Sequence, residues 1–426
     1  MRDNYLLKTR NSEKLYFEYA RELPIIDFHN HISVSDVAKD RQFENIYELW
    51  LASDPYKHRL MRICGVDEHF ITGGASPYEK FEKYCEVFRY LAGNPVYDWS
   101  RMELSKIFGI DELPTKENAR YIYDKCTEIL ASAEYSNNGI LSRFNIEYQS
   151  PVATLFDDLS AFDGKRAAPS LRGDELLLPT SEFKAKLGVS TGIAVTDTDS
   201  YIGAISVMLD RFDKKNCRFA DHALDAGFFE DDADGKKSEM LTRLGVEYAK
   251  RGWTLLLHLG AKRRTSTRLA RLSGATGGYA AADRFPSSAL CDVLNRMEEL
   301  NGLPNTVLFP LNMNDQAPLA VMQGSFSQDN TPSKVQLGPA WWWCDHALGI
   351  ENTLNCISSF GVVSQFIGMT TDSRSILSFV RHDYFRRLLC SWIDRQNTIG
   401  EWELPFEMQG ELVRKICYHN AKNQIQ

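Results

Sequence analysis

The chain has 426 residues, 43% hydrophobic and 25% charged, with a formal net charge of -8 at pH 7. This balance excludes long disordered tracts, and the length suits an enlarged barrel or two to three modest domains. The acidic surplus excludes a general nucleic-acid binder. An anionic substrate is therefore expected to be caught by local arginines rather than by the field of the whole protein.

Residues 1–10 mix charges with apolar side chains and lack the apolar run of a secretion signal, and no stretch approaches the ~20 apolar residues of a membrane span. The nine cysteines are scattered singly, without a C-x-x-C pair. Reduced, buried thiols in the cytoplasm are expected, with no membrane or nucleic-acid partner.

The first apolar run, 23–28 (LPIIDF), leads straight into His29, Asn30 and His31. Further strand-like runs lie at 146–152, 165–171, 217–220, 253–257, 306–311, 334–337 and 362–369, giving eight. Near-continuous apolar strands alternating with helical stretches predict a parallel α/β sheet, and eight such units predict a (β/α)8 barrel. More than a hundred residues separate the first run from the second, with helical patterns at 47–51, 78–91 and 120–130. The expected organisation is an N-terminal segment with the first strand over 1–35, a helical insertion over 36–138, and the rest of the barrel over 139–426. The stretch 231–238 (DDADGKKS) reads as a solvated loop.

Alternate side chains of a strand share a face, so His29 and His31 point the same way if the first strand persists. Two neutral imidazoles at that spacing can hold one metal ion. His222 follows the fourth run, His258 ends WTLLL, and Asp372 follows the eighth run as IGMTTD. A barrel gathers these strand tips in one mouth. Two imidazoles and one carboxylate leave coordination positions free for catalysis. The bland alternative for His222 or His258 alone is a satisfied core histidine.

Arg172 follows the third run and Arg374 lies two residues beyond Asp372. Guanidinium forks match carboxylates, so arginines at the mouth suggest a carboxylate substrate, although each alone is more often a structural ion pair. A helix expected to start near Ser375 carries Arg381, Arg386 and Arg387; its stripe of Leu377, Val380, Tyr384, Leu388 and Trp392 reads as packing.

Residues 368–390 (GMTTDSRSILSFVRHDYFRRLLC) resemble the signature of the uronate isomerases. So do PIIDFHNH, FENIYELWLASDPYKHRLMR, GNPVYDWSRMEL, ADHALD, HLGAKR and QLGPAWWW, in order along essentially the whole chain. The resemblance implies a distorted (β/α)8 barrel of the amidohydrolase superfamily, commonly a homo-oligomer. Its substrates are small hexuronates: D-glucuronate is interconverted with D-fructuronate, and D-galacturonate with D-tagaturonate. It also implies one divalent ion, commonly zinc, on His29, His31 and Asp372. Tyr56 matches the active-site tyrosine; Arg172, His222, His258, Arg374, Trp341 and Trp342 match other positions around the substrate.

Aldose–ketose isomerisation needs a base near C2, a proton relay to the neighbouring oxygen, and positive charge where an enolate develops. Asp372 or a metal-bound hydroxide would be the base, with Tyr56 as proton donor or relay. Some family positions differ. Pro55 stands where a histidine precedes the tyrosine, 151–155 (PVATL) replace TTDDP with Asp157 and Asp158 nearby, 274–281 lose two aspartates, and 97–104 lose two histidines. Other readings are a divergent member acting on another acidic sugar, a metal-dependent hydrolase, or a non-catalytic binding homologue.

Overall fold

The computed structural model describes residues 2–274 and 278–426. Seven strands form one curled sheet in simple sequence order: β1 (Ile25–Asn30), β2 (Ile146–Thr154), β3 (Ser170–Arg172), β4 (Phe219–Leu224), β5 (Thr254–Leu259), β6 (Thr306–Pro310) and β7 (Val335–Leu337). Every neighbouring pair is parallel. Helices follow most strands and cover the sheet, which is why β5 (TLLLHL) is buried at all six positions and needs no polar face.

The expected eighth strand at 362–369 is absent as a ladder strand. The chain there makes a 3-10 turn, Val363–Gln365, and then runs irregularly to Ser373. Early in the segment, backbone polar groups are satisfied by side chains rather than by a neighbouring strand. The Asn420 amide donates to the carbonyls of Ser364 (2.9 Å) and Phe366 (2.7 Å), and Ile367 N–H donates to Gln336 Oε1 (2.9 Å). Gly368, at φ +91°, could not carry a Cβ, which would lie 2.1 Å from the Ile416 carbonyl. Asp372 N–H then reaches the His29 carbonyl at 3.1 Å, and His31 N–H reaches that of Ser373 at 2.9 Å. The segment thus bridges β7 and β1 without being a strand.

Between β1 and β2 the chain is helical. Ile46–Trp50, Pro77–Phe88 and Ala119–Leu130 answer the runs expected at 47–51, 78–91 and 120–130. Two further helices there matter for the site: α1 (Pro55–Ile63) and α2 (Pro95–Phe108). Both begin with an Asp or Asn cap followed by proline, whose missing N–H costs nothing at that position.

The loop 231–238 is mostly exposed, as its charge suggests, with Asp232 and Ser238 the buried exceptions. Asp232 is buried and takes hydrogen bonds from Lys237 N–H, Ser238 N–H and Ser238 Oγ, anchoring the start of α3 (Lys236–Lys250). The late helix is α4 (Val380–Thr398), preceded by a 3-10 turn Ile376–Phe379. Its apolar stripe packs as expected, with Leu388 only half-buried, but it also buries Arg381, His382 and Arg386. Arg386 donates to the carbonyls of Leu23 and Pro24, both at 2.9 Å, fixing the approach to β1.

Candidate active site

At the strand tips opens a cleft of about 430 Å³. β1 delivers His29 and ends at Asn30, and His31, held by its N–H on the Ser373 carbonyl, turns its ring to the same carboxylate. The two rings lie 5.3 Å apart, centre to centre. Asp372 has φ +45°, a left-handed conformation that Asp tolerates better than most residues. This turn aims Oδ1 at both imidazoles, 3.2 Å from His29 Nε2 and 3.0 Å from His31 Nε2, while Oδ2 takes the indole N–H of Trp341. Trp342, the other cleft residue with left-handed backbone, has φ +50°. Such strain persists only where the surroundings over-determine it.

Parallel register explains the rest of the floor. Arg172 pairs with Asp221, and His258 is two residues along from Asp221's partner Leu256, so all three side chains emerge on the cleft side. Asp221 is fully buried, accepting from Arg172 Nη1 at 2.8 Å and lying 2.6 Å from His258 Nδ1. That bond turns His258 Nε2 toward the cleft, where it has no hydrogen-bond partner; its ring lies 4.8 Å from that of His29. The same alternation sends His222 the other way. It is buried against α3, with Nε2 2.9 Å from the Tyr248 hydroxyl, and Gly173 leaves room for the ring. His222 does not line the cleft.

Behind β1, Asp27 ties the irregular segment in place. It accepts from Thr371 N–H (2.7 Å), Thr371 Oγ1 (2.8 Å) and Thr370 Oγ1 (2.9 Å), with His382 Nε2 at 3.1 Å. Metal-ligating sites are held in shape by such supporting contacts.

Tyr56 sits in the first turn of α1, because the Asp54 carboxylate caps the N–H groups of Tyr56 (2.9 Å) and Lys57 (3.2 Å). Its hydroxyl donates to Asp345 Oδ2 at 3.0 Å. Lys57 is buried in its own network with Asp54 (2.8 Å) and Glu103 (3.3 Å). On the open side lie Arg263, Arg374 and Asp157. Arg263 is paired with Asp225 at 2.9 Å. Arg374 is exposed and has no ion-pair or hydrogen-bond partner among the described residues.

The electrostatics follow from these contacts. Burial opposes charge on Asp372, yet the His29 and His31 imidazoles facing it hold its carboxyl well below the usual range. Burial likewise opposes a charged His29, but the Asp221 and Asp372 carboxylates raise its imidazole. Burial wins at His31, which answers to Asp372 alone and is repelled by His29, so its pKa falls. Burial lowers the Arg374 guanidinium somewhat, and Asp372 acts against that.

His29, His31 and Asp372 present ligand atoms within 4.8 Å of one another, as do His29, Asp221 and His258. A tetrahedral ion ~2.0–2.1 Å from each donor needs donors ~3.3 Å apart, close to the spacing here. Both ring nitrogens of His29 and Nε2 of His258 are buried without hydrogen-bond partners, a cost that a bound cation would remove. The residues therefore fit a divalent ion. Arg172 already neutralises Asp221, which favours the His29–His31–Asp372 set.

The structure thus brings His29, His31, Tyr56, Arg172, His258, Trp341, Trp342, Asp372 and Arg374 to one cleft and leaves His222 outside it. Sequence reasoning missed Asp221, Asp345 and Arg381. Asp221 was detectable, since ADHALD holds an aspartate beside the histidine and only strand parity decides which faces in. Of the family positions that differ, Asp157 lines the cleft and closes a turn by accepting from Thr154 N–H at 2.7 Å. In 97–104, Asp98 instead binds the Tyr5 hydroxyl and Arg101 lies over the Tyr5 ring, both outside the cleft lining. The altered 274–281 loop includes 275–277, which lie outside the described residues.

A parallel α/β sheet whose tips gather two imidazoles, a carboxylate and a free guanidinium defines an enzyme of the barrel-mouth class with a candidate metal centre. The chain belongs to the uronate isomerase family: the family model for glucuronate isomerase matches residues 1–237 and 228–425. It is 36% identical to a uronate isomerase of Mannheimia succiniciproducens over 99% of this chain and 98% of that protein. It is 34% identical to one of Caldanaerobacter subterraneus subsp. tengcongensis, over 100% and 99% of the two chains. The crystal structure of a uronate isomerase from Thermotoga maritima superposes with a TM-score of 0.91 at 26% identity, covering 100% of this chain and 99% of that one.

Proposed function

We propose that this enzyme interconverts D-glucuronate with D-fructuronate and D-galacturonate with D-tagaturonate by moving a proton between C2 and C1. One observation carries the reading: Arg374, without a partner among the described residues, opens onto the same cleft as Asp372, Tyr56 and the imidazoles. A free guanidinium fork beside a proton-transfer site is what a hexuronate, with its carboxylate at one end and carbonyl at the other, requires.

In this scheme Arg374 takes the C6 carboxylate, beside the ion-paired Arg172 and Arg263 that also line the cleft. Asp372, kept ionised, removes the C2 proton and returns it to C1. Tyr56 handles the hydroxyl protons, supplying one to O1 and accepting one from O2, so that the aldehyde becomes an alcohol as the C2 alcohol becomes a ketone. Trp341 and Trp342 wall the cleft against water. A divalent ion, zinc in this reading, held by His29, His31 and Asp372 supplies Lewis-acid polarisation of the substrate oxygens.

The same reading takes the sheet as seven units of a distorted eight-unit barrel, with the irregular segment in eighth place and 36–138 as an insertion over the mouth. It places the enzyme in the cytoplasm as a homo-oligomer. Purified, metal-loaded protein assayed for ketose formation from each hexuronate tests it; no turnover of any of the four sugars would overturn it.

A further inference from the structure

Behind Tyr56, away from the cleft, lies a carboxyl group that the scheme above leaves unused. Asp345 closes the 3-10 turn Trp342–Cys344 and is buried, yet it is absent from the cleft lining. Its Oδ2 accepts from the Tyr56 hydroxyl at 3.0 Å and from Arg381 Nη1 at 3.2 Å. Arg381, itself fully buried on α4, is stacked over the rings of Tyr56 (4.6 Å) and Trp99 (3.9 Å) and donates to the Thr371 carbonyl. The Tyr56 ring meets Trp99 and Trp343 edge-on at 5.5 and 5.3 Å. Packing alone would fix this ring. A buried carboxyl on its hydroxyl is an addition that packing does not need and that burial makes costly.

We propose that Asp345 is a positioning residue that aims the Tyr56 hydroxyl and stores its proton, making Tyr56 and Asp345 a two-member relay for the substrate's hydroxyl protons. The inference rests on the isomerase reading. In the aldose-to-ketose direction Asp345 starts protonated. As O1 takes the Tyr56 proton, Tyr56 takes the proton of Asp345, which becomes a carboxylate. When O2 loses its proton to Tyr56, the Tyr56 proton returns to Asp345. The relay ends as it began, and one proton has moved from O2 to O1. Tyr56 is never a free phenolate, which its burial strongly disfavours, raising its pKa well above the ordinary tyrosine value.

The surroundings suit a group that must hold and release a proton. Burial and the Asp372 carboxylate push Asp345 up to about 7, while Arg381 and the Tyr56 hydroxyl pull it down. Cys344 beside it and Tyr384 on α4 also sense its charge. Because the relay starts from the protonated form, kcat should fall as pH rises through about 7.

The test is Asp345→Asn in the full, metal-loaded chain, which keeps shape but cannot store a proton. A ~100-fold drop in kcat is expected, within the usual range for general acid–base groups, with KM changed less than ~3-fold and the alkaline limb near neutrality gone. Asp345→Glu should restore part of both the rate and the limb. In a Tyr56→Phe background, Asp345→Asn should cost nothing further, since the relay is already cut. A single variant that keeps the wild-type limb, or losses that multiply in the double variant, would overturn the relay. A wild type inert toward every hexuronate would remove the isomerase reading and this inference with it; turnover with an unchanged limb would remove the inference alone.

Discussion

On the floor of the cleft the carboxylates are answered, Asp221 by Arg172 and His258 and Asp372 by His29, His31 and Trp341, and behind β1 Asp27 is answered by Thr370, Thr371 and His382. At the rim, Asp157 and Arg374 are exposed, and Arg374 pairs with nothing among the described residues. The floor is charge already arranged before a substrate arrives, which is how a buried site avoids reorganising during reaction. Of the rim charges, Asp157 is held by Thr154 N–H and Arg263 by Asp225, which leaves Arg374 available to bind. Position and chemistry belong to the first region, and recognition to the second.

The sharpest way to break this contrast is Asp372→Asn. It keeps the shape but removes the anion that both imidazoles face, so kcat should fall at least ~1000-fold and bound metal should drop. Elemental analysis beside kinetics checks this, and wild-type rates would end the assignment. Asp27→Ala should act on the fold instead. It strands the Thr371 N–H and His382 in a fully buried site, costing about 3–5 kcal/mol, read as a lower denaturant midpoint.

The sign of the Asp27 pH effect follows from its pKa. Burial alone would raise it, but His382, Asn30 and Thr371 bring it below the usual carboxylate range. Asp27 therefore lends stability that is fully present above the unfolded-state value and is lost as pH falls through its lower folded value. Acid unfolding should accordingly be shallower in Asp27→Asn than in the wild type.

At the rim, Arg374→Lys should raise KM about 10-fold with a smaller change in kcat, since a point charge replaces a bidentate fork. An unchanged KM would make Arg374 structural. His222→Gln should do least, leaving kcat within ~3-fold and lowering stability modestly through the lost Tyr248 contact. A large catalytic loss there would mean that His222 reaches the cleft after all.

Much of this was legible along the chain. The apolar runs placed all seven strands, with ends shifted by a few residues, because a parallel sheet buried on both faces must be apolar almost throughout. The eighth place was misread as a strand. Val362, Val363, Phe366 and Ile367 carry the composition of a strand, but Gly368 and the Asn420 and Gln336 side chains provide other hydrogen-bonding solutions, and these come from far along the chain. The fourth run was ended at 220 rather than 224, and that truncation hid the parity by which Asp221 faces the cleft and His222 faces α3.

The amino-acid order alone therefore determined the layered α/β architecture and the pairing of His29 with His31, since both depend on local periodicity. Only the tertiary structure decided that Asp345 and Arg381 stand behind Tyr56, and that Arg374 is left without a partner among the described residues. Those contacts join residues separated by 289 and 36 positions. No local pattern encodes which distant carboxyl a buried hydroxyl will meet; that is settled when helices and strand tips pack together.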